Sequence, residues 1–244
     1  MKKGQVTMFV VLGILIFAGI GIYIFYSKIP SMAQGAKDIT SLSPQFSEAG
    51  KQIEDCLDIV LNDGAVSAGL KGGYTDNSEL KKYDYAGLDV TYLYYDGQSH
   101  LPAKEEVEKA LGSYLKENAL QCAGTGGDII ITPGSVKSAS VFIKDTVVDA
   151  EVEWDITFRK GDFVSKAGLF RASAPLKMGK IMDEVTGFMA VQVQKPNEIC
   201  LSCLIDSAEK NNFKIEIDNM ITTYVFSITD KSEGGFDFVF ANGY

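Results

Sequence analysis

Val148-Asp149-Ala150-Glu151-Val152-Glu153-Trp154-Asp155-Ile156-Thr157-Phe158 alternates apolar and polar residues along its whole length. In a strand, successive side chains leave opposite faces. Val148, Ala150, Val152, Trp154, Ile156 and Phe158 therefore share one face, and the acids with Thr157 share the other. One buried and one wet face is the mark of an antiparallel sheet. Lys160-Gly161-Asp162 turns the chain into a second strand near residues 163–172, and Lys144-Asp145 joins a third strand, 136–143, ahead of it. The three form a meander.

Further β signals flank this centre. Leu88, Val90, Tyr92 and Tyr94 alternate with more polar neighbours and run into the turn Asp96-Gly97. Residues 213–217, 222–229 and 236–240 read as three more strands, with 230–235 as the last turn. Helical spacing marks four segments. Ser43-Pro44 caps the first, where Phe46, Ile53, Cys56, Leu57 and Val60 recur on one face and Asn62-Asp63-Gly64 offers an end. Pro102 opens the second, with Glu105 and Glu106 in its first turn and Cys122 beyond its last. Residues 176–193 and 201–210 supply the others. Strands outnumber helices and hairpins join neighbours, so the expected class is α+β: an antiparallel-sheet domain with three to four helices.

The start of the chain differs in kind. Residues 4–27, GQVTMFVVLGILIFAGIGIYIFYS, contain no charge. As a helix this run would be about 36 Å long, more than the roughly 30 Å hydrocarbon core of a bilayer. The expected organisation is a transmembrane helix over 1–28, a stalk over 29–42 opened by Pro30, and an extracellular domain over 43–244. Lys2 and Lys3 favour a cytoplasmic N-terminus. A secretory signal cut after Ser31-Met32-Ala33 competes with an anchor, but the apolar run is about twice the usual signal core. Gly13, Gly19 and Gly21 offer small surfaces for pairing with a second copy.

Residues 1–28 hold three lysines and no acid, which leaves 20 basic against 32 acidic residues in the rest, a net charge of −12. Phosphate contacts need clustered Lys and Arg, so nucleic acid is excluded as a partner. The same acidity predicts repulsion from anionic lipid headgroups beyond the anchor.

Four cysteines are the strongest chemical candidates: Cys56, Cys122, Cys200 and Cys203. An even count outside the membrane implies disulfides, and four cysteines allow three connectivities. Helical faces favour Cys56–Cys122 and Cys200–Cys203, the first closing a loop worth roughly 3–4 kcal/mol. A zinc site using all four thiols and a redox C-x-x-C at a helix start are the alternatives. His100 is the only histidine and lies in a loop. Asp149, Glu151, Glu153 and Asp155 could hold a hard cation but read as a solvated face. Tyr92, Tyr94 and Tyr95 read as half-buried sheet. Residues 124–127, Gly-Thr-Gly-Gly, lack the ending of a phosphate loop. No catalytic residue, metal or cofactor is therefore assigned.

The start Lys2-Lys3-Gly4-Gln5-Val6-Thr7-Met8-Phe9 resembles an archaeal type IV prepilin leader. The resemblance implies a cut between Gly4 and Gln5, after which the freed helix packs into a filament core. Phe9 stands where such pilins usually carry Glu. The same start, with Cys56-Leu57, Gly72-Gly73-Tyr74 and Cys200-Leu201-Ser202-Cys203, resembles a group of archaeal single-span membrane proteins opening K-G-Q-V-T-x-F. That resemblance implies location and architecture, and brings no activity with it. The expectation is a non-enzymatic membrane-anchored surface protein of the pilin-like kind. A single-span receptor or envelope assembly protein comes second, and an enzyme using the C-x-x-C or a metal third.

Overall fold

The alternating stretch is the middle strand of a three-stranded antiparallel sheet. A computed structural model describes residues 38–39, 42–124, 127–232 and 235–244. The transmembrane helix expected over 4–27, and Gly4 and Gln5 with it, lie outside the described residues. The chain divides into two units, Met1–Ala36 and Lys37–Tyr244, and the account below concerns the second. In chain order the described residues form α1 (Pro44–Gly69), β1 (Lys82–Tyr85), β2 (Leu88–Tyr95), β3 (Gln98–Ser99), α2 (Lys104–Asn118), β4 (Ile130–Ile143), β5 (Val148–Lys160), β6 (Phe163–Ala174), α3 (Met178–Gln194), α4 (Leu201–Asn211), β7 (Phe213–Met220), β8 (Thr223–Asp230) and β9 (Asp237–Gly243). The class is α+β with mostly antiparallel sheet.

In β5 every expected inward residue is buried, with Trp154 and Phe158 at 0 % exposure. The Trp154 indole also donates to the Gly134 carbonyl at 3.1 Å, which satisfies its one polar atom. The acids on the outer face face cations from neighbouring segments: Asp149 meets Lys144 at 2.7 Å, Asp155 meets Lys137 at 2.8 Å, and Glu151 lies 3.9 Å from Arg171. These exposed pairs add little stability. They do balance the row of acids.

α1 runs past Asn62-Asp63-Gly64, where a helix end was expected, and continues to Gly69. Gly64 is a packing device: a Cβ there would lie 2.6 Å from the Tyr114 ring of α2. Packing also reaches residues expected in the stalk: Leu42 is buried and Asp38 pairs with Arg171 at 2.6 Å. α1 lies along β6 and α2 along β4, the two edges of the sheet. The Glu54 and Asp58 carboxylates of α1 accept the Arg171 and Ser173 backbone N–H groups at 2.8 and 2.7 Å, and Glu108 of α2 accepts that of Ile143 at 2.8 Å.

The second sheet has the order β1–β2–β9–β8–β7, with β3 paired to β2. The β2–β9 pair is the one parallel pairing between named strands among the described residues, and β9 lies between β2 and β8. Asp96 and Gly97 take positive φ (52° and 74°) and close the tight turn into β3. α3 covers one face, with Phe188 against Phe226 and Phe240 at centroid distances of 5.3 and 6.4 Å. One continuous core runs from the first sheet through α1 into this one, and a small cluster of Val90, Tyr92, Val225, Val239 and Ala241 fills the opposite face. Asp230, 5 % exposed, ties β8 to the start of α3 through Lys177 at 2.7 Å. Burial opposes its ionisation, but hydrogen bonds from Lys177 and Ser232 outweigh it and hold the carboxyl below its ordinary range.

Trp154→Ala should cost about 3–5 kcal/mol in denaturant unfolding, as large aromatic truncations do. Glu153→Ala should stay within about 0.5 kcal/mol. Equal losses would mean the register is wrong. Asp230→Asn should cost about 2 kcal/mol at pH 7, the scale of a hydrogen bond to a charged group. A depressed folded-state pKa stabilises above the unfolded value of about 3.8 and is lost as pH falls through the folded value. The gap between wild type and variant should therefore close on acidification below about pH 4. A gap that widens there would remove the ion pair from the account.

Candidate functional site

At one end of the second sheet the tyrosines of distant strands converge. Tyr94, Asn242 and Tyr224 stand in register across β2, β9 and β8, and so share a face. The Tyr244 ring packs against both tyrosines, at centroid distances of 6.0 Å from Tyr94 and 5.2 Å from Tyr224. Its hydroxyl donates to Gln192 Oε1 at 2.6 Å. Burial pushes the Tyr244 phenol up to about 12, against the Asn242 amide, which favours the phenolate, so at neutral pH it is a proton donor. The Tyr94 hydroxyl is buried without a hydrogen-bond partner among the described residues.

The other face carries a cation. Lys81 Nζ lies 5.0 Å from the Tyr92 ring centroid and 4.5 Å from that of Tyr95. The two rings meet edge to face at 6.2 Å, and Tyr95 stacks on His100 at 4.0 Å. The Tyr92 and Thr223 hydroxyls share a hydrogen bond of 2.7 Å. Cation–π contacts of this exposed kind contribute about 0.5–1 kcal/mol each.

Between these groups opens a cavity of about 320 Å³, lined by Lys81, Tyr92, Tyr94, Tyr95, Thr222 and Tyr244 among others. A second of about 590 Å³ follows, lined by Ile199, Leu201, Ile217, Ile221 and Tyr224. Asn197, Thr222 and Tyr244 line both, so the two form one trough. Its rim includes Ile221 at the β7–β8 turn, 95 % exposed with φ +66°. A β-branched residue in that region is an outlier. Only its second part, walled by Ile199, Leu201, Ile217 and Ile221, is mainly apolar; the first presents the phenols and Lys81.

The cysteines lie elsewhere or at its margin. Cys56 is bonded to Cys122 across 5.5 Å between Cα atoms, which joins α1 to the short 3₁₀ turn Ala119–Cys122 after α2. Cys200 is bonded to Cys203, and its sulfur caps α4 by accepting the Cys203 N–H at 3.3 Å. Both bonds consume the thiols that a zinc site would use. Among the described residues no three His, Cys, Asp or Glu side chains gather as a metal set. His100 contributes a ring face to Tyr95, and its backbone carbonyl accepts from Tyr74 at 2.6 Å. Tyr92, Tyr94 and Tyr95 are both sheet and trough lining. Lys81, Asn197, Thr222, Tyr224 and Tyr244 escape sequence reasoning: Lys81 reaches Tyr92 through the β1–β2 hairpin, and Tyr224 and Tyr244 come to β2 only through the β2–β9 and β9–β8 pairings.

Comparison with protein-family models, with curated proteins and with solved structures finds no match for this chain.

Replacing Cys56 and Cys122 together by Ala should lower stability by about 3–4 kcal/mol, and replacing Cys200 and Cys203 together by about 2, since the second loop is short. Thermal unfolding of the first variant should shift down by roughly 10 °C. An unshifted midpoint there would deny the bond its clamping role.

Proposed function

We propose that this chain is a membrane-anchored protein whose domain stands outside the cell and works by binding or assembly. The observation that carries the reading is an uncharged run at residues 4–27 ahead of a domain whose four cysteines are all bonded. Disulfides persist in oxidising surroundings, and the run is long enough to span a bilayer. Among the described residues no helix is long and apolar enough to cross a membrane.

Two uses of such a domain have support. Gly4-Gln5, with the leader resemblance, supports a pilin-like subunit that pairs with its own copies through the N-terminal helix. The aromatic trough supports a single-span receptor or envelope assembly protein whose partner offers an elongated apolar group.

Mass spectrometry of the native N-terminus separates these. Gln5 as first residue is the expected result for a filament subunit, and Met1 for an uncut anchor. Gln34 would indicate a removed secretory signal and end the anchor reading. Protease added to intact cells should digest the domain; complete protection would reverse the topology.

A further inference from the structure

Two exposed apolar patches stand out on this acidic domain, and their charges differ. One is the trough rim, where Leu201, Ile205 and Ile221 neighbour Glu198, Asp206 and Asp218 in sequence. The other is the open end of the first sheet. There Ile130, Phe163 and Val164 are 63, 64 and 53 % exposed. Ile130 pairs with Arg159, and Arg159 with Val164, so the three lie side by side on one face of β4, β5 and β6. Phe163 pairs with Lys160 at the hairpin itself and leaves by the opposite face. Lys166 follows on β6, and the acids nearest in sequence are Asp128 and Asp162. The tip is thus an apolar wedge among Arg159, Lys160 and Lys166, on a domain that is otherwise strongly acidic.

The chain enters the domain alongside the middle of β6 and then starts α1 near the tip. Asp38 bridges Leu169 of β6, six residues from Phe163, or about 20 Å along the strand. Phe46, in the first turn of α1, packs on Phe158 at 6.2 Å, two residues before Lys160. Ten residues separate Lys28 from Asp38, a tether of at most about 35 Å. The hairpin tip is therefore within reach of the bilayer that would hold residues 4–27.

We propose that the β5–β6 hairpin tip, with Ile130 beside it, is a second membrane contact: Phe163, Val164 and Ile130 enter the headgroup region and Arg159, Lys160 and Lys166 face anionic headgroups. The proposal rests on the anchor reading above. Apolar side chains ringed by Lys and Arg are the composition that binds membrane interfaces, through buried apolar area and attraction to anionic lipid. The expected repulsion between domain and lipid thus fails at this one end, where the sequence charge is locally reversed.

The test uses the full chain in vesicles of neutral and anionic lipid with brominated acyl chains. Trp154 is the only tryptophan and is fully buried, so Phe163→Trp adds one surface reporter. Val193→Trp, at an exposed position on α3, is the control. Resistance of the chain to alkaline carbonate reads the anchor independently. For a chain that resists extraction, the introduced indole of Phe163→Trp should be quenched at least two-fold more than that of the control, and adding Arg159→Gln, Lys160→Gln and Lys166→Gln should reduce the difference. A resistant chain with equal quenching in both variants overturns the hairpin contact and leaves the anchor standing. Extraction by carbonate overturns the anchor, and the proposal with it. Disulfide mapping of each variant confirms that the fold is retained.

Discussion

Two open edges of a three-stranded sheet set the arrangement of the first half of this domain. Each edge strand presents N–H groups that need acceptors, and helices supply them. Glu54 and Asp58 stand four residues apart on α1, about 6 Å along a helix axis. Arg171 and Ser173 stand two apart on β6, about 7 Å along a strand. One turn of helix therefore matches one repeat of the pleat, and two carboxylates meet two N–H groups. Burial against the strand is the main reason that both carboxyls lie above their ordinary range. Their ionisation thus works slightly against the fold as pH rises above about 4, opposite in sign to Asp230. Glu108 does the same service at β4, and Cys56–Cys122 holds the two covering helices together.

α1 then carries this arrangement to the rest of the molecule. Its first turn meets Phe158 through Phe46, and its last residue, Gly69, lies against Phe236 and Asp237 at the start of β9. At 26 residues the helix is about 39 Å long. The apolar hairpin tip and the aromatic trough are built on different sheets, and α1 packs toward both.

Much of this was legible in the sequence because it is local. The period-two pattern of β5 is unbroken, and the helical spacing of Ile53 with Cys56, and of Leu115 with Cys122, puts both cysteines near the same interface. Other features were hidden for physical reasons. Gly64 reads as a stop signal, yet a glycine that admits a ring looks the same in sequence as one that ends a helix. β3 is two exposed residues, and β1 offers only the alternating pair Tyr83 and Tyr85, too short a pattern to reveal a strand. The trough joins Tyr94 to Tyr224 and Tyr244 across more than a hundred residues, and only the parallel β2–β9 pairing brings them together. The basic wedge at Phe163 was hidden by averaging, since a net charge says nothing of where the lysines sit.

The placement of β9 bears on biosynthesis. The middle of the second sheet is the last of its strands to be made, and β2 cannot join β8 until it arrives. During synthesis the first sheet and its two helices can close as a local unit, while β2 waits with an unpaired edge for nearly a hundred and fifty residues. The second sheet would thus stay open after the first has closed, until β9 is made. Its closure would then be one late event, with β9 entering between β2 and β8.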